Sequence, residues 1–153
     1  METFLKEIIV EGGKLALDYQ RKLGDLTINR KSTRDLVSQA DVEVEKHLVG
    51  RIRGKYPDHA VLGEESGAYD GGTYRWIIDP IDGTTSFLHN QPFYSVSIAI
   101  EKDGEMKAGA VYAPVFDELF FASSGKGAFC NDQPISVSGQ GLLIDAVLGT
   151  GFA

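Results

Sequence analysis

The hydrophobic period of this chain changes once, near Pro57, and that change limits what it can fold into. Before it, apolar residues recur at helical spacing. Leu5, Ile8, Ile9, Gly12, Ala16, Tyr19 and Leu23 mark one face of a helix over residues 3–23. Gly12-Gly13 lowers the intrinsic propensity there and signals close packing against another element. A second stripe, Val44, Leu48, Val49 and Ile52, predicts a helix from Ser38 to about Lys55, with Ser38 as its cap and Asp41 in its first turn. The stretch between, GDLTINRKSTRDLV (24–37), reads as a polar loop holding a short strand.

After Pro57 the apolar runs are short, as in strands. HAVLG (59–63) and YRWIID (74–79) read as buried strands, joined by a surface loop, SGAYDGGT. The stretch from Tyr94 to Pro114 alternates, turns at Asp103-Gly104 and alternates again, the pattern of a hairpin. The next twenty residues repeat the theme, with turns at Gly125-Lys126-Gly127 and Asn131-Asp132. The final AVLGTGFA reads as a strand entering a loop. Helices first and strands afterwards predict an α+β fold: two N-terminal helices packed on a mostly antiparallel sheet.

The chain has 153 residues, which suits one domain, and at 42% hydrophobic and 24% charged it is globular in composition. Its formal net charge is −7. No basic stripe is present to neutralise phosphates, so neither nucleic acid nor an anionic membrane surface is expected as a partner. The single cysteine, Cys130, cannot pair within the chain, and a reducing, cytoplasmic setting is expected. The N-terminus lacks the basic start and unbroken apolar run of a signal peptide. No apolar stretch approaches the ~20 residues that span a bilayer.

Chemistry concentrates in two places. In LGEESG and IIDPIDGTT, acids stand where apolar strands run out: Glu64 and Glu65 after Val61-Leu62-Gly63, and Asp79 and Asp82 around Pro80 and Ile81. Neighbouring strands would make these carboxylates converge. Crowded carboxylates repel unless a cation joins them, and hard oxygen donors select Mg²⁺, Ca²⁺ or Mn²⁺ rather than zinc. The backbone carbonyl of Ile81 adds another hard donor. A helix starting at Gly83-Thr84-Thr85 would aim free N–H groups at whatever sits beside the acids, an arrangement that binds phosphate. Acids, cation and phosphate cradle together suggest metal-assisted hydrolysis of a phosphomonoester. Taken singly, each feature also has an ordinary reading: Asp-Gly as a turn, Glu64-Glu65 as a solvated loop, Asp41 as a first-turn acid.

GEES followed by WIIDPIDGTTSF closely resembles the inositol monophosphatase family of metal-dependent phosphatases. The likeness extends over KSTRDLVSQAD, YPDHAVLGEES and GKGAFCN, and so over the whole chain. The resemblance implies the first half of an α/β/α/β/α layered fold. It implies Mg²⁺ as cofactor, with Glu64, Asp79, Asp82 and the Ile81 carbonyl as ligands and Glu65 as a further candidate. Glu64 and Thr84 would position the attacking water, Asp41 would be hydrogen-bonded to Thr84, and Asp82, Gly83 and Thr84 would meet the substrate phosphate. Lys31 would lie in a loop that covers the site. Ser86 stands where the family usually has Asn. Family members also carry a second half with a Trp-Asp-x-Ala-Ala-Gly motif, which this sequence lacks. Residues 1–153 therefore read as the N-terminal metal-binding catalytic domain of such a protein.

The implied substrate is a small sugar or polyol phosphate, inositol monophosphate first, with fructose 1,6-bisphosphate and 3′-phosphoadenosine 5′-phosphate as alternatives. A homodimer is expected. Two other readings compete. Haloacid-dehalogenase-like phosphatases place a nucleophilic Asp in Asp-x-Asp-Gly, but here the spacing is Asp-x-x-Asp and GEES has no role in that scheme. A half-length chain could also be a non-catalytic metal-binding or interaction module.

Overall fold

A computed structural model describes residues 1–24 and 30–147, the side chains of 24–38 excepted. Two helices open the chain: α1 (Glu2–Gly24) and α2 (Arg30–Lys55). The strands β1 (Ala60–Gly63), β2 (Ala68–Tyr69) and β3 (Tyr74–Asp82) follow, then a short helix α3 (Thr84–Leu88). β4 (Ser95–Lys102), β5 (Glu105–Ala113), β6 (Glu118–Ser123), β7 (Gly127–Cys130) and β8 (Gln133–Ile135) complete one sheet in the order β2-β1-β3-β4-β5-β6-β7-β8. β1 and β3 pair in parallel, and the other neighbours are antiparallel. The α+β fold with a mostly antiparallel sheet is the one the hydrophobic pattern predicts.

Both helices lie on one face of the sheet, α1 over β4, β5 and β6 and α2 over β1 and β3. That face presents Trp76, Ile78, Val96, Ile98, Tyr112 and Phe121, all buried. Into it the helices set Leu5, Ile8, Ile9, Val44, Leu48 and Ile52, each fully buried. Each such side chain contributes about 1.5–3 kcal/mol when removed from water. The glycine pair behaves as its sequence suggests. A Cβ on Gly12 would stand 3.0 Å from Leu48 of α2, and one on Gly13 would stand 2.2 Å from the Tyr112 ring of β5. These two positions let α1 touch helix and sheet at once.

The hairpin turns also follow from their residues. Asp103 (φ 52) and Gly104 (φ 82) are both left-handed, the conformation that a tight turn matched to strand twist requires. Asn131 (φ 47) and Asp132 (φ 62) repeat it between β7 and β8.

Four expectations need correction. α2 begins at Arg30, so residues 30–37 are helical and not a loop with a strand, and Ser38 lies inside the helix and not at its cap. Arg30, Lys31, Arg34 and Leu36 sustain a helix well, and here they extend it beyond its apolar stripe. The loop SGAYDGGT contains β2, which pairs with β1 through Val61–Tyr69 and Leu62–Ala68. β3 continues past Asp79 to Asp82, with a register shift between those two residues. The irregularity accommodates Pro80, which has no N–H for a regular ladder. At the C-terminal end, Ala146 and Val147 form no strand, and residues 148–153, Phe152 among them, lie outside the described residues.

Candidate active site

The parallel pairing of β1 with β3 places the C-terminal ends of both strands at the same end of the sheet. Gly63 pairs with Ile78, and one step further on stand Glu64 and Asp79. The acids of LGEESG and IIDPID are thus brought together by strand geometry.

Asp79 shows the consequence. Burial, then the neighbouring Glu64 and Asp82 carboxylates, raises its pKa to about 6, against a smaller lowering by a backbone hydrogen bond at Ile81. Its Oδ1 is buried and has no hydrogen-bond partner among the described residues. Asp41 reaches the same region from α2 and is 8% exposed. Burial raises its pKa to about 7, with Glu65, Glu64, Asp79 and Glu45 adding to the effect. Six carboxylates, Asp41 and Glu45 from α2, Glu64 and Glu65 at the β1 end, and Asp79 and Asp82 from β3, therefore crowd one region.

Glu45 was not anticipated from sequence. It is 1% exposed, four residues after Asp41 on α2. Its carboxylate accepts hydrogen bonds from the backbone N–H of Glu65 (2.9 Å) and of Ser66 (2.7 Å). Gly63 makes room for it, since a Cβ there would fall 2.5 Å from the carboxyl group. A signal was present: positions 41, 45, 48 and 52 form one helical stripe, and an acid at 45 interrupts an apolar run.

The turn after β3 is built on glycine. Gly83 has φ 95 and caps α3, and a Cβ there would lie 2.9 Å from the Phe93 carbonyl. Phe87 anchors α3 in the core, edge-on to Tyr94 at 4.9 Å. The Thr84 hydroxyl donates to the Ile81 carbonyl at 3.1 Å. Where the family resemblance joins Thr84 to Asp41, the structure gives the hydroxyl proton to Ile81. That carbonyl keeps a second lone pair. Glu64, Glu65, Asp82, Gly83 and Thr84 are exposed, while Asp41 and the Ile81 side chain are buried. Lys31 lies on α2, but its side chain is outside the described residues.

The donor set consists of carboxylates and a carbonyl, which suits a hard divalent cation. The orphaned Asp79 oxygen and the upward pKa shifts of Asp41 and Asp79 are what uncompensated acids produce, and a cation would offset both. The fit is to an acidic wall, not a finished cage. Among the described residues, no three His, Cys, Asp or Glu side chains stand close enough to hold an ion as they are. Mutual repulsion holds exposed carboxylates apart until a cation joins them.

Comparison with known proteins places this arrangement. The family model described as "Inositol monophosphatase family" matches residues 1–153. An inositol-1-monophosphatase of Mesorhizobium japonicum is 41% identical over 99% of this chain and 58% of its own length. The Nus factor SuhB of Pseudomonas aeruginosa is 40% identical over 92% of this chain and 53% of its own. Among solved structures, the extragenic suppressor protein suhB of Bartonella henselae superposes with a TM-score of 0.80 at 36% identity, covering 90% of this chain and 54% of that one. The chain thus spans about half the length of the curated relatives it matches. With its sheet order, its converging acids and a family match from first residue to last, the chain belongs to the inositol monophosphatase family.

Proposed function

We propose that the acids at the ends of β1 and β3 form the metal site of a phosphomonoesterase, and that Mg²⁺ is its cofactor. The observation that carries this reading is Asp79: a half-buried carboxylate whose inner oxygen has no partner among the described residues, facing Glu64 across a parallel strand pair. Glu64, Asp79, Asp82 and the Ile81 carbonyl would hold the cation, with Glu65 as a further donor. Bound there, Mg²⁺ would activate water and offset charge on the phosphoryl oxygens.

The chain's own groups do the rest. Glu64 takes the proton of the attacking water, and Thr84 orients that water. Gly83 and Thr84 offer backbone N–H groups to the phosphate. Asp41, buried behind them, keeps the acidic wall in place. Lys31, on α2, is a further candidate. The inositol-1-monophosphatase among the relatives supports inositol monophosphate as substrate. Fructose 1,6-bisphosphate and 3′-phosphoadenosine 5′-phosphate are the alternatives.

The net charge of −7 supports small phosphorylated substrates over nucleic acid as partners. Among the described residues no helix is long and apolar enough to cross a membrane. A cytoplasmic homodimer completes the reading. Phosphate release from each of the three esters, with and without Mg²⁺, tests it. Release that is indifferent to Mg²⁺, or absent with every ester in the complete protein, would overturn it.

A further inference from the structure

We propose that Glu45 is a positioning residue, which fixes Glu64 by holding the backbone immediately after it. The inference rests on the reading of Glu64 as a metal ligand and goes one layer behind it.

Glu64 is exposed, at the point where β1 ends. An exposed acid at a strand end has many rotamers and a mobile backbone, and neither suits a ligand that must meet a cation in fixed geometry. The next two residues remove that freedom. The N–H groups of Glu65 and Ser66 both donate to one carboxylate, Glu45, at 2.9 and 2.7 Å. Two consecutive amides on one anion form a charge-assisted clamp, stronger than neutral pairs. The Gly63 N–H donates to the Gly67 carbonyl at 2.9 Å, closing the turn from the other side. Glu64 therefore sits in a segment tied at both flanks.

The anchor is rigid. Glu45 is 1% exposed, between Val44 and Leu48 on the core side of α2, so its side chain cannot swing into solvent. Gly63 is the companion feature. Any larger residue would place a Cβ 2.5 Å from the Glu45 carboxyl carbon and push it off the two amides. An acid in a helix stripe that otherwise calls for an apolar residue, opposite a glycine that leaves room for it, makes sense as a clamp on the loop. As a packing element it would be costly, because a buried carboxylate must be fully hydrogen-bonded to be tolerated.

Glu45→Gln in this chain is the direct test, since it keeps shape but replaces one of the two acceptor oxygens with a donor. Glu45→Ala removes both acceptors, and Gly63→Ala disturbs the same contact from the other partner. Two readouts are taken on protein that circular dichroism shows to be folded: amide hydrogen exchange at Glu65 and Ser66 without metal, and Mn²⁺ affinity by electron paramagnetic resonance. The expected result is faster exchange at those amides and an Mn²⁺ Kd raised about 10- to 100-fold, smaller for Gln than for Ala. Unchanged exchange and unchanged Mn²⁺ affinity in folded Glu45→Gln would overturn the proposal. Glu64→Gln, measured alongside, separates the two layers. Mn²⁺ affinity weakened by Glu64→Gln but untouched by the Glu45 variants overturns the positioning role alone. Affinity unmoved by Glu64→Gln overturns Glu64 as ligand, and the clamp's purpose with it.

Discussion

The indole N–H of Trp76 donates to Nδ1 of His59 at 2.9 Å. His59 must therefore carry its own proton on Nε2 when neutral. It lies stacked between Tyr56 (4.7 Å) and Tyr74 (4.9 Å). Burial lowers its pKa below the ordinary histidine value, and Asp58 opposes that only in part. Because the folded pKa is depressed, the unfolded chain binds the proton first. The stability from this contact is present above the unfolded value, about 6.5, and is lost as pH falls through the folded one. Trp76 is the one tryptophan, so its fluorescence should report the step with a midpoint below that of a free histidine. His59→Phe should abolish the step and cost about 1–3 kcal/mol for the unpaired indole N–H.

The acidic wall should give the opposite slope. Asp41 and Asp79 have folded pKa values of about 7 and about 6, both raised from 3.8. Without metal, the folded chain holds protons that the unfolded chain releases. Stability is full below about 3.8 and falls as pH rises toward 6 or 7. Urea denaturation across pH 4–8 should show this decline, and Asp41→Asn should flatten its upper part. A curve that rises through that window in both proteins would contradict the crowding described at the site.

If the proposed hydrolysis holds, Glu64→Gln should lower turnover about 10²- to 10⁴-fold, the range for a general base. Asp82→Asn should lower it too and raise the Mg²⁺ concentration needed for half activity. Hydrolysis at a chiral phosphate should invert configuration, as one direct attack by water requires. Retention would mean a phosphoenzyme and would remove Glu64 from the role of base.

Gly13→Ala should cost about 1–3 kcal/mol, as overpacking does, because the new methyl would press on the Tyr112 ring. Gly50→Ala, with open space around the added Cβ and a mid-helix position, should be neutral or mildly stabilising. Thermal midpoints of the two variants test whether α1 is seated on β5 as closely as the structure has it.

The sheet face away from the helices is open and apolar. It carries Ile77, Ala99, Val111, Phe120, Ala122 and Ala128 around a depression of about 450 Å³. Val111 and Phe120 are each 38% exposed. A bare surface of this kind promotes association. Sedimentation should show this chain self-associating with concentration, and Val111→Lys should reduce that. A chain that stays monomeric at every concentration would contradict this expectation.

Local rules read much of this fold correctly. Asp103-Gly104 and Asn131-Asp132 were legible because tight turns need left-handed residues, and few residue types supply them. Gly12-Gly13 was legible because two glycines within a helix weaken it unless something packs there. Residues 30–37 were not, because their helix lies outside the apolar stripe that marks α2. Two-residue β2 is too short to show a period. At the site, the acids were legible as a motif, but their arrangement was not. Pro80 argued for ending β3 early, and a register shift carries the strand past it. Glu45 was signalled only as an acid within an apolar stripe; its partners, backbone amides some twenty residues away, are announced by no side-chain pattern.

The parallel joint between β1 and β3 also bears on the order of assembly. From β3 to β8 the sheet follows chain order, each strand pairing with the next, so those ladders close short loops and should form early. β1 reaches β3 only after the chain has passed through β2 and turned back, a longer closure that gains fewer pairs. The acidic wall should therefore be the last part of the sheet to consolidate and the first to open. Pulse-labelled amide exchange during refolding should protect residues 95–123 before 61–63. Simultaneous protection would mean that the acidic end of the sheet is already set in the folding nucleus.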